Sequence, residues 1–91
     1  PALLAKAKAE EHLMASGLPF TIVRPGGLLN EPASGHGLLT AAVWAAGSIS
    51  RLDVADLVIQ CLRSERATNQ VLSAIDRDRS RSEPPVEPWL L

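Results

Sequence analysis

The chain has 91 residues, of which 46% are hydrophobic and 3% aromatic, and its formal net charge is −1. This length allows one domain at most, and a domain this small buries too little surface to be more than marginally stable. A near-neutral charge argues against a nucleic-acid partner, which would favour a basic surface. No apolar run approaches the roughly 20 residues of a membrane span. We therefore expect neither nucleic acid nor a membrane as partner.

One cysteine, Cys61, excludes an internal disulfide and any metal site built from several cysteines. It fits a reducing compartment, so the prediction is a cytoplasmic protein, with a reducing organelle stroma as the alternative. Position 1 is a proline that leads straight into a helical pattern. The expectation is therefore a segment of something larger or a processed product.

The first half of the chain predicts a helix followed by a strand. Residues 2–16 are rich in Ala, Leu, Lys and Glu, which are strong helix formers, and Gly17 is a natural residue after a helix end. The β-branched run in residues 19–24 predicts a buried strand, because a proline and two glycines stop it abruptly. Residues 26–48 then predict a long loop, in which the apolar stretch 38–46 is either a short helix or a strand.

The second half predicts another helix and another strand. Ser50 and Asp53 resemble a capping box, and the helix they open is apolar around most of its circumference, which predicts burial on more than one side. Residues 69–75 predict the second strand. Residues 76–91 combine charges with prolines and predict a tail, ordered only if Val86, Trp89 and the last leucines dock.

The predicted order is helix, strand, long loop, helix, strand. A crossover of this kind normally joins two parallel strands, and the connection between them is right-handed. Two such strands need further strands and covering helices, and this chain supplies too few. The predicted fold class is therefore α/β, the C-terminal part of a Rossmann-type doubly wound parallel sheet, incomplete as a domain. Residues 1–75 would form this part, with 76–91 as the tail.

Four motifs in order resemble a known family: KxxAExxL from residue 6, SGL from residue 16, TIVRPG from residue 21 and ISRxDVA from residue 49. Their sequence and spacing are similar to the C-terminal half of atypical short-chain dehydrogenases/reductases, the NmrA-like NAD(P)H-binding proteins. The resemblance implies a nicotinamide cofactor, NAD(P), as small-molecule partner. It also implies that the glycine-rich phosphate loop lies outside this chain, because no GxGxxG occurs here. The missing N-terminal half or another chain would complete the sheet and bind most of the cofactor.

The resemblance also implies residue roles. Lys6 matches the lysine of a Tyr-x-x-x-Lys pair, which implies a catalytic and ribose-binding residue; the alternative is a solvated helix lysine. Ala2 stands where that pair has tyrosine, so a tyrosine proton donor is absent. The strand end Arg24-Pro25-Gly26-Gly27 would contact the cofactor near its nicotinamide; the alternative is a plain turn.

Weaker candidates lie further along the chain. On the substrate side we place His36, Trp44 and Arg51. The alternatives are that His36 is an ordinary residue of a mobile loop, that Trp44 packs the loop over the sheet, and that Arg51 forms a structural pair with a carboxylate. No metal site is predicted, because no carboxylate or cysteine stands at ligand spacing from either histidine.

Three functions remain open. The first is a nicotinamide-dependent oxidoreductase or its truncated relative. The second is a non-catalytic cofactor sensor or assembly factor of the same fold, favoured by the missing tyrosine. A third, an unrelated α/β interaction module, is weaker.

Overall fold

The computed structural model describes residues 2–91, with side chains from residue 9 onward. Within this part lie two α-helices and five strands: α1 (Ala2–Ala15), β1 (Thr21–Pro25), β2 (Gly27–Leu29), β3 (Gly37–Thr40), β4 (Ser48–Ser50), α2 (Arg51–Leu62) and β5 (Gln70–Asp76). Short 3-10 turns cover Glu65–Ala67 and Arg77–Arg79. No helix among the described residues is long and apolar enough to cross a membrane.

Helix α1 forms where the helix-favouring composition predicts it. It ends before Gly17, whose φ of +76° is the left-handed conformation that a helix-terminating glycine adopts readily. Its apolar side chains are poorly covered within this chain: Leu13 and Met14 are 39% and 40% exposed. This helix therefore presents apolar surface that the described chain does not bury.

The larger sheet has the order β1-β5-β3. β1 and β5 run parallel, in register from Thr21 with Gln70 to Pro25 with Ala74, which confirms the predicted parallel crossover. β3 adds to the other edge of β5 in antiparallel direction, beginning with Gly37 opposite Asp76. The fold is a small α/β unit with a mixed sheet, a partial Rossmann-like fold.

The region predicted as one long loop, residues 26–48, contains β2, β3 and β4. β2 and β4 pair with each other in parallel as a two-stranded sheet, and β3 pairs with β5. Each of these strands has three or four residues, so its own sequence pattern is too short to announce it. Their partners lie about 20 residues or more away along the chain.

Helix α2 begins as the sequence predicts. The Ser50 hydroxyl accepts hydrogen bonds from the amides of Leu52 and Asp53. The face carrying Asp53, Leu57 and Cys61 is buried. There α2 packs on a core that includes Leu39, Ile49, Leu72 and Ala74.

The opposite face of α2 is exposed, although the sequence predicted burial on more than one side. Leu52, Ile59 and Leu62 are 61%, 48% and 82% exposed. The described chain supplies one covering layer for this helix, so its second apolar stripe lacks a neighbour. This uncovered stripe fits a fold that is incomplete as a domain.

The residues after β5 dock on the sheet through Trp89. Its main-chain N–H donates to the carbonyl of Leu39 at 2.6 Å, and its indole N–H donates to the carbonyl of Arg66 at 2.8 Å. Arg66 in turn donates to the carbonyl of Leu90 at 2.7 Å. Docking, the condition on which order in this tail was predicted to depend, is present at Trp89, and residues near Trp89 cover the edge strand β3.

Candidate functional site

The carboxyl ends of β1 and β5 form one edge of the sheet, where open α/β sheets bind ligands. β1 ends at Pro25 and β5 at Asp76. Because β3 runs in the opposite direction, its first residue, Gly37, pairs with Asp76, and residues 30–36 lie at the same edge. This edge and the loop 30–36, called here the edge loop, make up the candidate site.

The glycines predicted to contact the cofactor already use their amides within the fold. The N–H of Gly26 donates to the carbonyl of Ala74 at 2.9 Å, and that of Gly27 donates to the carbonyl of Gly47 at 3.0 Å. Pro25 has no N–H. This segment therefore cannot cradle a phosphate with its amides, and it offers the exposed Pro25 ring and the exposed face of Gly27 for contact.

Gly26 is glycine for a reason that the sequence did not reveal. A Cβ on Gly26 would lie 2.5 Å from the carbonyl oxygen of Gly47, so the close approach at this position is made by the protein's own backbone. Gly47 has φ of +153°, and a Cβ there would lie 2.7 Å from the carbonyl oxygen of Arg79. Three chain segments thus meet here with no room for side chains.

The other predicted cofactor residues are charged. The guanidinium of Arg24 forms an ion pair with the carboxylate of Glu10 at 2.6 Å, which ties β1 to α1. A cofactor contact by this side chain would compete with Glu10. Lys6 belongs to α1, but its side chain lies outside the described residues. The cofactor roles of Arg24 and Lys6 stay predictions.

His36 lies beside two carboxylates, contrary to the expectation from sequence spacing. Its Nδ1 contacts the Asp78 carboxylate at 2.5 Å. One ligand atom each from His36, Asp76 and Asp78 lie within 4.8 Å of one another, a grouping that could hold a metal ion. The spacing argument failed because His36 precedes the two aspartates by about 40 positions, and the β3–β5 pairing brings it beside them. The predicted absence of a metal stays a prediction.

A buried polar network at the edge loop was not foreseen. Asp53 accepts hydrogen bonds from the amides of Ser34 and Gly35 at 2.9 and 3.1 Å, and the residue is 4% exposed. The hydroxyl of Ser34 lies 2.5 Å from a carboxylate oxygen of Asp76, which is 2% exposed, and 3.3 Å from Asp53. Two buried carboxylates from α2 and β5 therefore hold one serine of the edge loop.

The pKa of Asp76 lies below its ordinary value. The main cause is the hydrogen bond from Ser34, which favours the ionised carboxylate, and burial opposes it. The hydrogen bond from the amide of Asp78 and the electrostatic influence of Arg79 and His36 lower the pKa of Asp76 further. Asp76 is thus held as an anion at the candidate site.

Stability should depend on this carboxylate under acidic conditions. Because the folded-state pKa is lowered, the stabilisation is complete above the unfolded value of roughly 3.9 and is lost as pH falls through the folded pKa. We expect the thermal unfolding temperature to fall less steeply between about pH 5 and about pH 2 in Asp76→Asn than in the wild type. Equal slopes would contradict the role of Asp76.

The two remaining predicted residues differ in what they contact. Arg51 donates from Nε to the side-chain oxygen of Asn30 at 2.8 Å, so the Arg–carboxylate pair considered from the sequence is replaced by a bond to an amide. Arg51 and Asp53 thus fix two points of the edge loop. Trp44 is 53% exposed and lies away from this loop, in a groove against the C-terminal segment.

The sheet order and the parallel crossover define a small α/β unit with a partial Rossmann-like fold. A family model described as NAD(P)H-binding matches residues 1–65. The chain belongs to this NAD(P)H-binding family, which confirms the resemblance to NmrA-like atypical short-chain dehydrogenases/reductases.

Curated relatives match most of the chain but little of their own length. The uncharacterized sugar epimerase YhfK of Bacillus subtilis (strain 168) is 43% identical over 86% of this chain and 36% of the relative. Sanguinarine reductase of Eschscholzia californica is 40% identical over 75% of this chain and 27% of the relative. Protein TIC 62, chloroplastic, of Oryza sativa subsp. japonica is 45% identical over 69% of this chain and 14% of the relative. The chain thus spans about a third or less of these relatives.

Proposed function

We propose that this chain is the C-terminal part of an NAD(P)-binding domain in a nicotinamide-dependent oxidoreductase or a truncated relative of one. The observation that carries the proposal is the family match over residues 1–65, which covers α1, β1 and α2. Relatives named as a reductase and as an epimerase support redox or related chemistry at the cofactor. When bound, a nicotinamide would supply or accept the hydride.

Most of the cofactor would be bound by a segment outside this chain. The amides of Gly26 and Gly27 are used internally, so they cannot replace a glycine-rich phosphate loop. The exposed stripe of α2 and the free edge of β1 are the surfaces against which the rest of the sheet would pack. The described edge would contact the nicotinamide end through Pro25 and Gly27, with Lys6 on the ribose.

A second candidate function is favoured by Ala2. A tyrosine four residues before Lys6 would serve as the proton donor of a reductase, and alanine carries no ionisable group. The same fold without this donor would serve as a cofactor sensor or an assembly factor. In that case the complete protein binds NADPH but does not consume it with any of a panel of small carbonyl compounds.

We place the protein in the cytoplasm, where a single free, buried Cys61 stays reduced. The alternative is a reducing organelle stroma, and it is supported by the word chloroplastic in the names of relatives such as TIC 62. A fluorescent fusion of the complete protein distinguishes the two compartments.

Substituting Lys6 tests the cofactor proposal. In the complete protein, Lys6→Ala should weaken NADPH binding about tenfold, because one charge-assisted hydrogen bond to the ribose is lost. Lys8→Ala, two positions along α1, is the matched control and should bind like the wild type. Titration of NADPH fluorescence measures both. Equal binding by the two variants would return Lys6 to an ordinary surface lysine, and no binding by the wild type would contradict the proposed function.

A further inference from the structure

A groove separate from the edge loop lies between the loop after β3 and the C-terminal segment. Its volume is about 510 Å³, within the range of small-molecule sites. The residues that matter for its chemistry are Thr40, Trp44, Pro85, Glu87, Pro88 and Trp89. Thr40 pairs with Ser73, three residues before the end of β5, and β3 lies on the opposite side of β5 from β1.

Both tryptophans of the chain line this groove, and the protein itself uses their indole N–H groups. Trp44 donates to the carbonyl of Pro84 at 3.4 Å, and Trp89 donates to the carbonyl of Arg66 at 2.8 Å. These N–H groups are therefore occupied, which leaves the ring surfaces of the two indoles for contact with a ligand. The main-chain N–H of Trp89 donates to the carbonyl of Leu39, which holds the indole of Trp89 beside the edge strand β3.

The charge of the groove has one sign. Glu87 is the charged residue of the lining, and no Lys, Arg or His lines the cavity. None of the ion pairs among the side chains described from residue 9 onward involves Glu87. The electron-rich faces of indoles attract cations, and a carboxylate adds to this attraction while it repels anions. One carboxylate among indoles and prolines is a poor donor set for a metal ion, which prefers several oxygen or nitrogen ligands.

We propose that this groove binds a small organic cation, with an alkylated ammonium group held between the indole faces and Glu87. The volume suits a small organic molecule, and the lining suits a positive charge whose hydration shell is weak. The site does not depend on the nicotinamide chemistry proposed above, so either can fail without the other.

Choline and its uncharged isostere, 3,3-dimethylbutan-1-ol, test the charge requirement. In the complete protein labelled with 5-fluorotryptophan, the resonances of Trp44 and Trp89 are assigned through Trp44→Phe and Trp89→Phe. We expect choline to shift both resonances and to bind at least about fivefold more tightly than the alcohol, as cation–π and carboxylate attraction require. Equal affinities, or no shift with choline, would overturn the proposal.

Variants of the lining separate charge from packing. Glu87→Gln should weaken choline binding about fivefold or more and leave alcohol binding unchanged. Glu83→Gln, an exposed glutamate of the same segment outside the groove lining, is the control and should bind both probes like the wild type. Because Glu87 is exposed, its substitution leaves the fold intact. Unchanged choline binding in Glu87→Gln would overturn the role of the carboxylate and with it the proposal.

Discussion

Replacing Gly47 by alanine should lower the free energy of unfolding by about 3 kcal/mol. The φ of +153° is a conformation that residues with a side chain rarely adopt, and the new Cβ would lie 2.7 Å from the carbonyl oxygen of Arg79. This contact cannot relax easily, because the opposing atom belongs to the backbone of the segment that follows β5. Denaturant unfolding of the complete protein measures the change.

Gly27→Ala is the matched control for this prediction. It lies in the same cluster of chain segments, but its Cβ would meet its nearest neighbour, the Cβ of Ser48, at 3.5 Å, an ordinary contact. We expect a change within about 1 kcal/mol for this variant. Similar losses in both variants would show that the close backbone approach at Gly47 does not determine stability.

Replacing Asp53 by alanine should cost about 2–3 kcal/mol, because hydrogen bonds to a charged acceptor are lost from two amides of the edge loop. Those amides belong to Ser34 and Gly35, and the carboxylate that binds them is buried. We also expect faster hydrogen exchange of these two amides, since the edge loop loses its attachment to α2. Thermal unfolding and exchange measured by NMR test the two parts separately.

Asp56→Ala, one turn further along α2, is the control for Asp53. Asp56 is exposed and accepts a hydrogen bond from the side chain of Gln60 at 2.8 Å. Its loss should change the free energy of unfolding by less than about 0.5 kcal/mol and leave the edge loop protected. A loss of stability in Asp53→Ala without faster exchange at Ser34 would contradict the anchoring role.

The sequence predicts the elements whose signals are local. A helix-favouring composition and Gly17 define α1, the Ser50 cap defines the start of α2, and the β-branched and apolar runs define β1 and β5. Each signal lies within a few residues of the element it predicts. The parallel pairing of β1 with β5 follows from the length of the crossover and is confirmed.

The short strands and the polar network depend on contacts between distant residues. β3 is a strand because β5 offers it a free edge, about 35 residues further along the chain. Asp53 did carry a local signal that was missed: it shares the buried face of α2 with Leu57 and Cys61, at intervals of four residues. An aspartate on an apolar stripe needs hydrogen-bond partners for its carboxylate. The interpretation of Asp53 as part of a helix cap left this requirement out.

The antiparallel direction of β3 also bears on how this region can vary. β3 begins beside the edge loop and runs toward the middle of β5, so the segments on either side of β3, residues 30–36 and 41–46, leave from different levels of the sheet. The first is bound by Asp53 and Asp76, while the second returns to the fold at Gly47. Exchange of residues 41–46 should therefore change the lining of the groove at Trp44 without altering the contacts that hold the edge loop.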